Sequence, residues 1–192
     1  MGVAAAAIAI TCAAQQTGPG AGRGGSGGRG PQAPPLLMTI PGFADGSDLP
    51  IKFSCSAQPA VVSPEIHWSQ VPAGTQSFML LVHDPEPRPA KGMMDITHWL
   101  IWNIPGSATG LPEGVPAGST LPDGSHQVKG TRPTAAYAGP CAPPGPNHHY
   151  TWELCALDTK LDLPEDASRG DIMKAADGHV LGAAVWIGLF HR

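Results

Sequence analysis

Charge is scarce in this chain. Of its 192 residues only 14% are Asp, Glu, Lys or Arg, and the formal net charge is −4. A nucleic-acid-binding domain would show a basic face or stripe; none is present, so nucleic acid is not an expected partner. No His-Glu-x-x-His and no Cys-x-x-Cys occurs, which leaves metal catalysis without its common ligand spacings. Long hydrophobic runs are also missing. The apolar stretch Val3 to Thr11 is too short to span a bilayer. What is plentiful is turn chemistry: 22 prolines and 25 glycines spread along the chain, which implies short strands and many turns rather than long helices. The 42% of hydrophobic residues suffices for one sizeable core, and the length suits one domain plus an additional segment.

That additional segment is N-terminal. Val3 to Thr11 has the length of a signal-peptide core, and Cys12-Ala13-Ala14 puts small residues where a signal peptidase reads, with cleavage after Ala14. No Lys or Arg precedes the run, which points to a start upstream of Met1. Two alternatives stand beside export with cleavage: a lipid attached at Cys12, and an Ala-rich tail on a cytoplasmic protein. Thr17 to Pro35 has no acidic residue and almost nothing apolar, so it cannot bury enough surface to offset its ordering entropy. The expected organisation is a leader at 1–14, a linker at 15–35 and one folded domain at 36–192.

Within the domain, Phe78 to Val82 is an apolar run stopped by Asp84-Pro85, the length of a strand covered on both faces. Side chains alternate along a strand, so Phe78, Leu80, Val82 and Asp84 share a face. Thr97 to Ile104 is a second strand, with His98, Leu100, Trp102 and Ile104 on one face. A third is the stretch "NHHYTWELCALD", with His148, Tyr150, Trp152, Leu154 and Ala156 together and His149, Thr151, Glu153 and Cys155 opposite. A fourth runs from Gly182 to Phe190, and "IKFSC" and "EIHWSQVP" read as shorter strands. The best helix signal begins at Pro164 or Ser168 and carries Ile172, Met173, Ala176 and Val180, with Gly178 closing its first part.

Three strands thus place a polar residue at the end of a core-facing row: Asp84, His98, and His148 with Tyr150. If those ends meet, they form a small polar pocket with apolar walls, the usual form of a small-ligand site. Singly, each has an ordinary structural explanation: a histidine at a strand end is commonly a hydrogen-bonded boundary residue, and Asp before Pro a turn former.

Several motifs in order carry a resemblance: "FADGSDLPIKFSC", "VSPEIHWSQVPAGTQSFMLLVHDPE", "THWLIWNIPGSATGLPEGV", "YAGPCAPPGPNHHYTWELCALD" and "GHVLGAAVWIGLF". They cover nearly all of Phe43 to Phe190, and the chain resembles the phosphatidylethanolamine-binding protein family in its bacterial Raf-kinase-inhibitor-like branch. The resemblance implies a mostly β fold of two antiparallel sheets with Greek-key connections and a few short peripheral helices. It also implies a pocket for phosphate, phosphorylethanolamine headgroups or other small anions. Carried over residue by residue, that pocket is Asp84, His98, Gly139 and Pro140 with the turn through Cys141 and Pro143, and His148 with Tyr150. The family's Asp-Pro-Asp-Ala-Pro reads Asp84-Pro85-Glu86-Pro87-Arg88 here, a departure at the pocket rim, where Arg88 and Lys91 would add favourable potential for an anion. Relatives inhibit kinases or proteases. For an exported chain a protease or other envelope protein is the compatible target, and a homodimer is expected on resemblance alone.

In chemical terms, His98 and His148 would donate to an anion when protonated, with Asp84 raising their pKa values, and Tyr150 would add an O–H. Binding without catalysis and without a cofactor is expected. The competing reading is a hydrolase using the same His and Asp side chains, through a metal or a nucleophile. His148 and His149 point to opposite faces of a strand, so both cannot hold one ion, and Cys141 lies in a proline-rich loop with no evident base. Cys55 and Cys141 are the candidate disulfide, and Cys155 is read as a buried thiol.

Overall fold

Apolar residues on both faces of β4 (Ser77–Asp84) bury it from end to end except at His83. The computed structural model describes residues 35–192 apart from 94, 131 and 132. The leader and all but the last residue of the expected linker lie outside that range. β4 sits between β5 (Ile96–Pro105) and β8 (His148–Leu157), antiparallel to both. β9 (Val180–Phe190) pairs with the other edge of β8. Two-residue strands, β2 (Ser47–Asp48) and β7 (His126–Gln127), complete a six-stranded sheet in the order β2-β9-β8-β4-β5-β7. β1 (Leu37–Thr39), β3 (Ile66–Ser69) and β6 (Gly110–Leu111) form a second, antiparallel sheet. The larger sheet is not wholly antiparallel as expected: β2 runs parallel to β9.

The two faces of the larger sheet carry two apolar layers. Phe78, Leu80 and Val82 of β4 and Trp152, Leu154 and Ala156 of β8 pack with Met38, Ile66 and Trp68 from the smaller sheet. Met79, Leu81, Cys155 and Leu157 pack on the opposite side beneath α1 (Arg169–Ala176), through Ile172 and Ala176. α1 starts where Ser168 and Asp171 cap each other reciprocally, a pairing that satisfies otherwise orphaned N–H groups. It is shorter than the expected helix, because Val180 already belongs to β9.

β5 departs from simple alternation. Val82 faces Trp99 while His83 faces Thr97, so His98 is an extra residue on β5. A second irregularity lies between the pairs Phe78–Ile104 and Leu80–Ile101, where Asn103 takes φ 55° and its amide holds the Leu161 backbone at 2.8 and 2.9 Å. The expected row His98, Leu100, Trp102, Ile104 is therefore broken. Leu100 and Trp102 pack in the α1 layer, whereas Trp99, Ile101 and Ile104 join the inter-sheet core. Each bulge flips the parity once.

"IKFSC" is likewise not a strand. Ile51–Phe53 is a 3-10 turn following Pro50. Its backbone is satisfied locally, Phe53 N–H to the Pro50 carbonyl at 3.0 Å and Ser54 N–H to that of Ile51 at 2.9 Å, while the Phe53 ring is fully buried.

Candidate functional site

The ends of β4, β5 and β8 converge on a cavity of about 610 Å³, within the usual range for small-ligand sites. Asp84 closes the apolar row of β4 and is 2% exposed. Pro85 stops the strand immediately behind it, so the carboxylate is held at the end of the core rather than in solvent. Its Oδ2 lies 2.7 Å from His148 Nδ1, and its Oδ1 accepts the Glu86 N–H at 3.2 Å. Both oxygens of a buried carboxylate are thereby satisfied, as burial demands.

Tyr150, two residues along β8 from His148 and on the same face, is 1% exposed. Its hydroxyl accepts the Cys141 N–H at 3.1 Å. Burial, with the negative Asp84 adding to it, pushes the phenol pKa up, so Tyr150 stays a neutral O–H at any physiological pH.

His98 reaches this cavity because of the β5 bulge. Its ring stands edge-on to Tyr150 with centroids 5.0 Å apart, and Nδ1 lies 2.8 Å from the Ala138 carbonyl. That carbonyl can only accept, so Nδ1 carries the proton. The expectation that Asp84 would raise the pKa of His98 is overturned: burial lowers it, outweighing the Ala138 hydrogen bond and the Asp84 charge. Only 5% of the residue is exposed, and taking an imidazolium out of water costs more than these partners return.

The proline-rich loop packs against the 3-10 turn. A Cβ on Gly139 would lie 2.6 Å from the Phe53 carbonyl oxygen, so only glycine fits there. The Pro140 carbonyl accepts the Cys55 N–H at 3.0 Å. Cys55 and Cys141 are joined by a disulfide that closes a sequence separation of 86. Of the site residues expected from sequence, Asp84, His98, Gly139, Cys141, Pro143, His148 and Tyr150 line the cavity. Pro140 does not; its carbonyl is turned to Cys55 instead. Arg88 and Lys91 do not line it either, while Cys55, Glu86 and Ile96 do. Glu86 was signalled only by its place in the altered motif.

Glu86 also gives His149 a role that strand parity alone did not suggest. His149 points away from His148, yet its Nδ1 lies 2.9 Å from one Glu86 oxygen and its backbone N–H donates to the other at 2.7 Å. Burial pushes the Glu86 carboxyl up, but these hydrogen bonds and the nearby histidine charges outweigh it and hold the pKa below the usual value. Potential ligand atoms of Asp84, Glu86 and His148 lie within 4.8 Å of one another. Hydrogen bonds from His148 and the Glu86 N–H to Asp84, and the His149 clamp on Glu86, tie these side chains into one polar network.

A second cavity of about 530 Å³ lies beside the start of α1. Several of its polar groups are paired with one another or with neighbours: Glu165 with Ser119 and Thr120, Ser168 with Asp171.

The family described as phosphatidylethanolamine-binding protein matches residues 39–191. A UPF0098 protein of Methanothermobacter thermautotrophicus is 43% identical over 150 residues, 78% of this chain and 95% of that protein. The Mycobacterium tuberculosis protein that carries the lipoprotein name LppC is 36% identical over 162 residues, 83% of this chain and 74% of that protein. Among solved structures, Escherichia coli YbcL, described as a member of the mammalian PEBP family, aligns with a TM-score of 0.71 at 26% identity, covering 82% of this chain and 98% of that one.

Proposed function

Since the chain belongs to the phosphatidylethanolamine-binding protein family, we propose that it is a non-catalytic binding protein whose cavity takes a small anion or a phosphate-bearing headgroup. The observation that carries this reading is the convergence of Asp84, His98, His148 and Tyr150, with Glu86, on one largely apolar cavity. Tyr150 O–H, and His148 when protonated, are the donors for an anion. Asp84 is positioned to receive an ammonium group carried by the same ligand. The disulfide to Cys55 holds Cys141 in place behind Tyr150, which lowers the ordering cost of binding.

Binding is favoured over turnover by the state of the would-be nucleophiles. Cys141 is oxidised, and the Tyr150 phenol is held protonated by its burial. One observation favours a hydrolase instead: a buried aspartate on Nδ1 of a partly exposed histidine is the arrangement that orients a general base. Export to the cell envelope is supported by the apolar leader, by a disulfide of the kind that is common in oxidising compartments and rare in the cytosol, and by the lipoprotein name of one relative. There the protein would modulate a partner such as a protease.

The test is native mass spectrometry of protein purified without phosphate, followed by calorimetry with phosphate compounds and a screen of phosphate and carboxylate esters. Binding without ester turnover is the expected result. Turnover lost in His148→Ala would establish the hydrolase.

A further inference from the structure

The polar groups fixed around this cavity are mostly acceptors, an unusual surrounding for an anion. The Asp84 oxygens already receive His148 and the Glu86 N–H. Both Glu86 oxygens receive His149. The Cys141 N–H is bonded to the Tyr150 hydroxyl. His98 uses Nδ1 on the Ala138 carbonyl, and its Nε2 has no hydrogen bond among the described residues. That nitrogen is not sealed in the core as the indole nitrogens of Trp102, Trp152 and Trp186 are, and His98 lines the cavity. A neutral imidazole protonated at Nδ1 offers a lone pair at Nε2.

An anion with no proton of its own would set its lone pairs against that one. A phosphate monoester in its singly charged form carries a P–O–H, the donor Nε2 needs. Resting on the anion-binding reading above, we propose that the cavity takes a phosphate monoester together with one proton, held between a phosphate oxygen and His98 Nε2. The ligand class is then the monoester monoanion, in preference to the dianion, to sulfate and to phosphodiesters.

The surroundings of His98 agree. Tyr150 stands edge-on to its ring and the Ala138 carbonyl holds Nδ1. Asp84, Glu86, His148, Gly139 and Ile96 line the same cavity, and His83, paired with Asp95, acts on the ring by charge alone. Asp84 and the two peptides favour an imidazolium, but burial and His83 oppose it, and the net effect is a ring that resists protonation. In free protein near neutral pH the proton is therefore absent, and it enters with the ligand. No bond other than this hydrogen bond changes.

Methyl phosphate, dimethyl phosphate and sulfate are the probes, measured by calorimetry on the intact protein from pH 5 to 8. Repeating each titration in buffers of different ionisation enthalpy counts protons. A phosphate monoester loses its second proton near pH 6. At pH 8 binding of methyl phosphate is expected to take up close to one proton, and at pH 5 close to none. Its affinity should fall about tenfold per unit above pH 6. At pH 5.5, dimethyl phosphate has the same charge but no P–O–H, and it should bind at least about tenfold more weakly than methyl phosphate.

His98→Gln places an amide N–H near the position of Nε2. This variant should bind methyl phosphate at pH 8 without proton uptake, a change that mere loss of packing would not produce. Should it fail to fold, proton counting on the unsubstituted protein decides alone. Binding at pH 8 with no proton uptake, equal affinity for the two esters at pH 5.5, or unchanged uptake in His98→Gln would overturn the proposal and leave anion binding intact. No binding of any probe at any of these pH values would overturn both.

Discussion

His148 Nδ1 lies 2.7 Å from Asp84 Oδ2, bridging two strand ends that are 64 residues apart in the chain. The aspartate is buried and the histidine partly open to the cavity, so the bond joins the core to the site. Asp84→Asn keeps the shape and removes the charge. It should lower the unfolding free energy by about 1.5–3 kcal/mol, the range for hydrogen bonds to charged groups, as read from urea denaturation. A loss below about 0.5 kcal/mol would mean that the pair is a minor contributor.

The adjacent histidines should separate in their effects. His148→Ala and His98→Ala are each expected to weaken binding of a phosphate-headgroup ligand by about 1.5–3 kcal/mol. His149→Ala only frees Glu86 from a largely exposed pair, an effect of about 0.2–1 kcal/mol. Isothermal titration of the three variants compares them directly. A larger loss in His149→Ala than in His148→Ala would invert the assignment of faces.

The Cys55–Cys141 bridge closes a long loop, and cross-links of this kind stabilise by about 2–5 kcal/mol. The double substitution of both cysteines by alanine should lower stability by that amount. It should also weaken ligand binding, because the residue-141 backbone N–H that positions Tyr150 survives the substitution but loses the bridge that holds it in place. Denaturation and titration of the variant beside the oxidised protein measure both quantities. Full stability with unaltered affinity would show that the surrounding packing holds the loop unaided.

Acid should destabilise the protein in two stages. The His98 pKa is lowered in the fold by burial, so below its unfolded value, 6.5, the unfolded chain binds a proton that the native one resists, and stability falls. The second stage comes from carboxylates. Burial pushes Glu86 and Asp95 up, but His149 acting on the one, and Arg169 and His83 on the other, outweigh it and leave both below their ordinary values. Their contribution is present above the unfolded values of 4.5 and 3.8 and is lost as pH falls through the lower native ones. Melting temperature measured from pH 8 to 3 should drop in both ranges, and His98→Asn should remove the first drop. A flat profile between pH 7 and 5 would contradict the burial argument.

Much of the molecule was legible along the chain because face alternation is a local property of extended backbone. The rows Phe78, Leu80, Val82, Asp84 and His148, Tyr150, Trp152, Leu154 follow from period two alone, and both strands lack internal bulges on these stretches of their mutual pairing. The turn residues that end the strands, Pro85 above all, were equally plain, while the helix start was narrowed to Pro164 or Ser168, of which the fold uses Ser168.

What escaped local reading depends on partners distant in sequence. The extra residue at His98 exists only relative to the register of β4, and alternation along β5 by itself misplaces Leu100 and Trp102. "IKFSC" alternates like a strand but lies in a 3-10 turn, fixed by Gly139 against Phe53 and by the bond from Cys55 to Pro140. The protonation of His98 followed the same rule. Sequence placed a carboxylate beside it, which argued for a cation, while the packing of three strands and a loop removed the water that a cation needs. Side-chain direction is set within a few residues, but register and desolvation are sums over the whole fold, and tertiary structure alone performs that sum.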